Sequence, residues 1–409
     1  AVTWMVAIGS NLSALWILVA NGWMQNPVGA RFNPDTMRME LESFYEVIFN
    51  EVAQAKFVHT VSAGYVTAAV FVLGVSAWYL LRDRHVALAR RSIAVAASFG
   101  LASALSVVVL GDESCYAANQ NQKMKLAVME GMWETEPAPA AFNLFGIPDQ
   151  EARETRWAVQ IPVVMGLIAT RSLDEEIPGI KELVEEAKVR IARGLVAYEA
   201  LVTVREARGA VSDEVKARFE ENGRDLGYAL LLKRYLDDPR EATPEDIDRA
   251  AWDTVPEVWP MFWAFRIMVG LGFYFIALFA FFFWMSSFRD LAVSRTALRI
   301  AFLSIPLPWI AAELGWFVAE YGRQPWTVEG VLPTALSVSH LSVAEVGLTL
   351  AGFTLFYAIL FAVEVALMVK YIRKGPYLDT EAVAAWEAER AARRAPATSP
   401  GALGVSAAE

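Results

Sequence analysis

The sequence predicts an all-α protein, a polytopic bundle of six transmembrane helices with a large, mainly helical extracytoplasmic loop. Three observations predict this fold class. Of the 409 residues, 56% are hydrophobic. Six apolar stretches are long enough to span a bilayer, since about 20 apolar residues cross its hydrocarbon core. The formal net charge is nevertheless −10, which fits a membrane protein that also carries one acidic aqueous segment.

The predicted spans divide the chain into four parts. The spans are residues 1–23, 57–81, 92–110, 259–285, 296–319 and 343–371. The parts are 1–110 with the first three spans, 111–258 as the outer loop, 259–374 with the last three spans, and 375–409 as a tail. The tail turns rich in Pro, Ser and Gly, so we expect disorder past about Arg394.

Basic residues in the short loops predict the orientation. Cytoplasmic loops are enriched in Lys and Arg. Three loops or span ends carry them: Arg82, Arg84, Arg90 and Arg91; Arg289, Arg295 and Arg299; and Lys370, Arg373 and Lys374. Placing these on the cytoplasmic side puts both termini of this chain inside. Residues 24–56, 111–258 and 321–342 then lie outside.

The outer segment 111–258 has two predicted portions. Residues 111–171 are rich in Pro and aromatics and indicate ordered loop. Residues 161–169 are apolar but too short to span, so we expect them to pack on the membrane-facing side. The second portion has apolar residues at three-to-four spacing, which indicates helices. One of these should begin with Thr243 as N-cap and Pro244 in the first turn.

His59 and Met268 lie in the outer halves of two predicted spans. Imidazole and thioether are axial ligands of a low-spin haem of raised potential. Residues of these types also often form ordinary hydrogen bonds or fill core space, so both interpretations stand on the residues alone. The shared depth favours the haem pair. Arg266 lies inside a span, where an arginine marks a functional site by default.

Other polar residues near the spans permit two interpretations each. In one interpretation, Glu320 and Arg323 form a solvated interfacial ion pair. In the other, Glu320 offers a carboxylate to an iron or to a proton path, and the guanidinium of Arg323 balances its charge. Glu313, on the same span as Trp316, and Glu364 in the last span either relay protons or bond to neighbouring helices.

Lys125 and Glu130 lie five residues apart, about 140° around a helix, so spacing assigns them no shared face.

The single cysteine, Cys115, excludes an intrachain disulfide framework, a Cys-rich zinc site and a protein-borne iron–sulfur cluster. The acidic balance argues against nucleic-acid partners.

Long motifs in one order resemble subunit I of cytochrome bd-type quinol oxidases. They include GSNLSALWILVANGWMQNP, KFVHTVSAGYV, KLAVMEGMWETEPAPAAF, FRIMVGLG and PLPWIAAELGWFVAEYGRQPW, and the resemblance covers nearly the whole chain. It implies that His59 and Met268 are the axial ligands of haem b558, with Arg266 supporting that haem electrostatically. It further implies that Lys125 and Glu130 of the quinol-binding loop serve quinol oxidation.

The resemblance also implies the remaining site residues and cofactors. Glu320 corresponds to the ligand of haem b595, with Arg323 and Trp316 close to the pair formed by haems b595 and d. The family has further spans before those seen here, so we expect an incomplete sequence whose missing part helps to hold haem d. Neither His85 nor His340 matches the histidine of those spans.

The implied function is a quinol oxidase of the bacterial inner membrane that generates a proton gradient. It oxidises ubiquinol or menaquinol at the outer face, passes electrons through haem b558 to haems b595 and d, and reduces O2 to water. The implied partners are oxidase subunit II and small single-span subunits in the lipid bilayer. An alternative is a truncated haem b electron-transfer or assembly subunit without oxygen chemistry.

Cys115 stands where the family usually has glycine, which implies a small change of turn conformation.

Overall fold

Six helical segments of the computed structural model, which describes residues 2–206, 212–289, 291 and 293–376, are long and apolar enough to cross a membrane. They are Val2–Gln25, Phe44–Leu81, Val86–Asn121, Val258–Phe288, Arg295–Tyr321 and Val343–Lys374. Each corresponds to one predicted span, so the predicted helical bundle is confirmed.

The elements follow one another in a simple order. The helices are α1 Val2–Gln25, α2 Phe44–Ile48, α3 Glu51–Leu81, α4 Val86–Asn121, α5 Lys123–Glu130, α6 Ile180–Glu206, α7 Asp213–Asn222, α8 Leu226–Leu230, α9 Pro244–Trp252, α10 Val258–Phe288, α11 Arg295–Leu303, α12 Leu307–Tyr321 and α13 Val343–Lys374. The strands form three antiparallel hairpins: β1 Ala30–Asn33 with β2 Arg38–Leu41, β3 Phe142–Asp149 with β4 Glu154–Ile161, and β5 Trp326–Val328 with β6 Leu332–Pro333.

Local capping sets several helix starts. The Asn50 side chain accepts a hydrogen bond from the backbone N–H of Val52 at 3.0 Å, which satisfies one of the free N–H groups at the start of α3. Thr243 and Asp246 form a reciprocal capping box at α9, with Pro244 in its first turn. The predicted start of that helix is therefore confirmed.

The apolar core of the bundle lies between α3, α4, α10 and α11. Phe279 and Phe282 of α10 are fully buried there, as are Leu73 and Ile93. Gly100 lets α10 approach closely, because a Cβ at this position would lie 2.3 Å from a ring carbon of Phe279. Large side chains on one helix thus fill space left by small ones on the next.

The outer segment differs in two places from the sequence-based prediction. Helix α4 continues beyond Leu110 to Asn121, so the predicted loop does not begin at Gly111. Cys115 is buried within this helix, and the expected turn there is wrong. Strands β3 and β4 form a hairpin where loop was predicted. The short turn Gly166–Thr170 packs against α4.

The chain separates into two compact units, residues 1–339 and 340–409. The second contains α13, which begins with a capping box between Ser342 and Glu345. Most of its described side chains are exposed within that unit. The predicted disorder past Arg394 falls outside the described residues.

Candidate functional site

A polar cavity of about 320 Å³ lies in the first unit, where several helix ends meet. Its walls come from the C-terminal ends of α1 and α4, the start of α5, α6, α8, and the chain around hairpin β5–β6. The lining includes Gln25, Gln122, Lys125, Glu186, Arg190, Tyr228, Arg323 and Glu329. Sequence-distant segments therefore contribute charged and amide groups to one cavity.

Lys125 is a buried cation of this cavity, with 6% of its surface exposed. Its Nζ donates to Oε1 of Gln25 at 2.8 Å and to Oε1 of Gln122 at 2.7 Å. Burial lowers the pKa of Lys125 to about 8, although the nearby carboxylates of Glu329 and Glu320 oppose this shift. The amine can therefore hold or release a proton near neutral pH.

Glu329 faces the same cavity from the turn between β5 and β6. Its backbone N–H donates to the carbonyl of Met24 at 2.8 Å, which ties the turn to the end of α1. Its Oε2 accepts from Nε2 of Gln122 at 3.0 Å. Burial raises the pKa of Glu329 to about 7 against the opposing effect of the Gln122 hydrogen bond and of Lys125. Glu329 is not among the site residues predicted from the sequence.

Glu320 and Arg323 form an ion pair at 2.7 Å, with side chains 36% and 9% exposed. Arg323 also donates to the carbonyl of Thr327 at 2.9 Å. Glu320 accepts from Nδ2 of Asn21 at 2.7 Å. The pair is thus partly buried and built into a network, which does not match the solvated-pair interpretation.

Amide side chains connect this ion pair to Lys125. Gln25 donates to Oδ1 of Asn21 at 3.1 Å and to Glu320 at 3.4 Å, and its own oxygen accepts from Lys125. Lys56 of α3 donates to the same Asn21 oxygen at 2.9 Å. One hydrogen-bond network therefore runs from the bundle into the cavity. The signal for it in the sequence is the run of polar residues at the end of α1.

At the other end of α5, Glu130 pairs with Arg266 of α10. Their side chains are 1% and 6% exposed, and Nη2 of Arg266 lies 3.0 Å from Oε2 of Glu130. Arg266 also donates to the backbone carbonyls of Met129 at 2.8 Å, Phe262 at 3.1 Å and Asn143. Burial raises the pKa of Glu130 to about 7, while Arg266 opposes this. The guanidinium thus joins three separate segments of the chain.

Lys125 and Glu130 consequently lie in different surroundings. Lys125 faces the cavity, whereas Glu130 faces the α10 arginine. Of these two residues, Lys125 lines the cavity and Glu130 does not. The structure therefore separates two residues that the family resemblance grouped into one role.

His59 and Met268 lie near the starts of α3 and α10, which are at the same end of the bundle. Within the described part of the chain, Nδ1 of His59 is buried without a hydrogen-bond partner, so the hydrogen-bonded interpretation does not account for this nitrogen. His59 lies beside Gly111 of α4, where a Cβ would be 3.5 Å from its Cε1. The Met268 sulfur lies beside Gly315 of α12, 3.1 Å from the position of a Cβ there.

The other singled-out residues lie on outward faces. Trp316 is 39% exposed on α12, and Glu313 on the same helix is exposed. Glu364 is exposed on α13, in the second unit. Their suggested roles in haem contact or proton relay stay predictions.

Comparison with known proteins places this geometry in context. The family described as "Cytochrome bd terminal oxidase subunit I" matches residues 1–376. Cytochrome bd-II ubiquinol oxidase subunit 1 of Escherichia coli (strain K12) is 45% identical over 375 residues, which cover 92% of this chain and 73% of that protein. Cytochrome bd ubiquinol oxidase subunit 1 of Bacillus subtilis (strain 168) is 29% identical over 377 residues, which cover 92% and 68%.

A solved structure, the bd oxidase from Geobacillus thermodenitrificans, shares the fold with a TM-score of 0.66 at 21% identity. The match covers 91% of this chain and 69% of that one.

Proposed function

Because the chain belongs to the cytochrome bd terminal oxidase subunit I family, we propose that it is the haem-carrying subunit of an O2-reducing quinol oxidase. The observation that carries the proposal is the buried Lys125 in a cavity of about 320 Å³ lined by amides and charged groups. A quinol headgroup presents two hydroxyl groups, and such a cavity offers both donors and acceptors for them.

In this proposal Lys125 anchors the headgroup. Its ammonium group already donates to two amide oxygens, Gln25 and Gln122, so it is held in place before a substrate enters. One of these bonds can be exchanged for a bond to a quinol oxygen without moving the backbone. Glu130 and Arg266 then act as positioning residues, since their pair fixes the far end of α5 and with it the direction of Lys125.

The ligand pair fits the chemistry of a low-spin haem. His59 offers an imidazole nitrogen with no hydrogen-bond partner among the described residues, and Met268 offers a thioether beside a glycine. Glu320, aligned by Arg323 and Asn21, would hold haem b595, with Trp316 nearby. When bound, haems b558, b595 and d supply electron transfer from the quinol and reduction of O2 to water.

The proposed sidedness follows the basic loops. The cavity is built from the helix ends of the first unit that lie opposite to those carrying Arg82 and Arg295. We place this end at the periplasmic face of the bacterial inner membrane, because basic loops stay cytoplasmic. Protons from quinol then leave outside, while O2 reduction draws protons from the cytoplasm, which makes the reaction electrogenic. Subunit II and small single-span subunits are the proposed partners, with ubiquinol or menaquinol as donor.

The test is a reduced-minus-oxidised optical spectrum of the membrane complex, together with quinol-driven oxygen uptake. His59→Ala and Met268→Leu should each remove the low-spin b signal, whereas His85→Ala, the matched control, should keep it. An unchanged spectrum in both variants would contradict the ligand assignment. A wild-type complex with a low-spin b signal but no haem d band and no oxygen uptake would favour an electron-transfer or assembly subunit instead.

A further inference from the structure

The cavity around Lys125 contains a second titratable group that the proposed quinol chemistry has not used. Among the described lining residues, Glu186 and Glu329 carry carboxylates. Glu186 is exposed at the rim, on α6. Glu329 points inward and accepts a hydrogen bond from Gln122, whose own oxygen accepts from Lys125. A carboxylate and an ammonium group are thus joined through one amide side chain.

Oxidation of a quinol needs a base as well as an anchor. Two O–H bonds break, two protons leave, and two electrons pass to the haem acceptor of the proposed function. Lys125 is a poor first acceptor, since it is a hydrogen-bond donor to Gln25 and Gln122 and is cationic below about pH 8.

The other polar groups of the cavity do not meet this need. Arg190 and Arg323 carry guanidinium groups that stay protonated. Burial raises the pKa of the Tyr228 hydroxyl to about 12. The hydroxyl therefore stays protonated at neutral pH and cannot act as the base. Glu329 is therefore the inward-facing group of the described lining that can take a proton.

We propose that Glu329 is the proton-accepting residue of this cavity, and that it receives the protons of a quinol held by Lys125. This inference rests on the proposed function. Glu329 takes one proton from a quinol hydroxyl, releases it to water at the rim beside Glu186 and Lys123, and then takes the second. The quinone leaves with its two O–H bonds broken, and the electrons are with the haem acceptor.

The position of Glu329 suits repeated proton exchange. The Met24 carbonyl holds its backbone, so the side chain can move while the turn stays fixed. Its pKa is raised to about 7 by burial, which lets it accept and release protons near neutral pH. The titratable and charged groups that face it are Lys123 and Lys125 on α5, Arg190 and Glu186 on α6, Tyr228 on α8, and Arg323 after α12.

The experiment compares quinol with a donor that releases no proton. Glu329→Gln should lower kcat for quinol by about 100-fold, the low end for a positioned base, with little change in KM. Oxygen uptake driven by tetramethyl-p-phenylenediamine, which gives up an electron and no proton, should stay within about twofold of wild type. Glu329→Asp should recover much of the quinol rate. Glu199→Gln is the matched control with wild-type rates, since Glu199 is an exposed carboxylate on α6 outside the cavity lining.

The outcomes separate the two levels of proposal. A Glu329→Gln complex with normal haem content and a wild-type quinol rate overturns the inference, as does an equal loss with both donors. If the Glu329→Gln complex fails to retain haem, the pH profile of kcat/KM for quinol is measured with Glu329→Asp instead. A shift of its acidic limb to lower pH supports the inference, and an unshifted limb overturns it. A wild-type complex without quinol oxidation would instead refute the proposed function.

Discussion

Replacing Arg266 by methionine should destabilise the protein strongly, because the arginine joins α10 to the end of α5 and to β3. The change leaves the Glu130 carboxylate buried without its partner and removes the donor to the carbonyls of Met129, Phe262 and Asn143. Breaking a buried pair in this way costs about 3–5 kcal/mol. With about 2.1 cal/mol/K of unfolding entropy per residue over 409 residues, this corresponds to a Tm lowered by about 3–6 °C.

The assay is a thermal melt of the detergent-purified complex, followed by intrinsic Trp fluorescence. Arg156→Met is the matched control, since Arg156 and Glu154 form a pair at 2.7 Å in which each side chain is 55% exposed, and such a pair adds little to stability. Glu130→Gln should cost less than Arg266→Met, because the amide can still accept from the guanidinium. The reasoning is refuted if Arg266→Met melts like wild type. It is also refuted if Arg266→Met lowers the Tm of the Glu130→Gln variant as much as it lowers the Tm of wild type.

Three further predictions concern single carboxylate or ammonium groups. Lys125→Met should raise KM for quinol about 10- to 100-fold in steady-state oxygen uptake while haem content stays normal, because a charged hydrogen bond of about 1.5–3 kcal/mol is lost; loss of haem would instead indicate a structural role. Glu320→Gln should remove the high-spin b signal from the optical spectrum and keep the low-spin signal, and retention of both would contradict its ligand role. Glu130 has a pKa of about 7 in place of the ordinary 4.5, so the folded state binds its proton more tightly and the free energy of unfolding falls as pH rises from 4.5 to 7; Glu130→Gln should flatten this slope in Tm measured against pH, and an unchanged slope would refute the assignment.

Most of the fold was predictable because its signals are local. Apolar runs and caps such as Thr243 lie within a few residues of the elements they define, so the six spans and the start of α9 were confirmed. The extension of α4 was missed because hydropathy falls at Asp112 and Glu113 although the helix continues to Asn121. Hairpin β3–β4 was missed because its first strand follows a Pro-rich stretch, which indicates loop.

The site was less predictable, since its contacts join distant segments. Lys125 and Glu320 were singled out through the family resemblance, not through spacing. The pairing of Arg266 with Glu130 depends on α5 lying against α10, which no local pattern contains. Glu329 was missed for the same reason: Gln122, which links it to Lys125, lies 207 residues earlier in the chain.

That long separation has a consequence for biosynthesis. The turn that carries Glu329 is made after α1, α5 and α6, and it reaches Gln122 and the Met24 carbonyl only when it docks on them. Contacts between such distant segments form slowly, because a large loop must close before they stabilise anything. The cavity is therefore completed late, after most of the first unit has been inserted. A nascent chain that stops before residue 329 can hold Lys125 in a helix but lacks the inward-facing carboxylate that Gln122 joins to it.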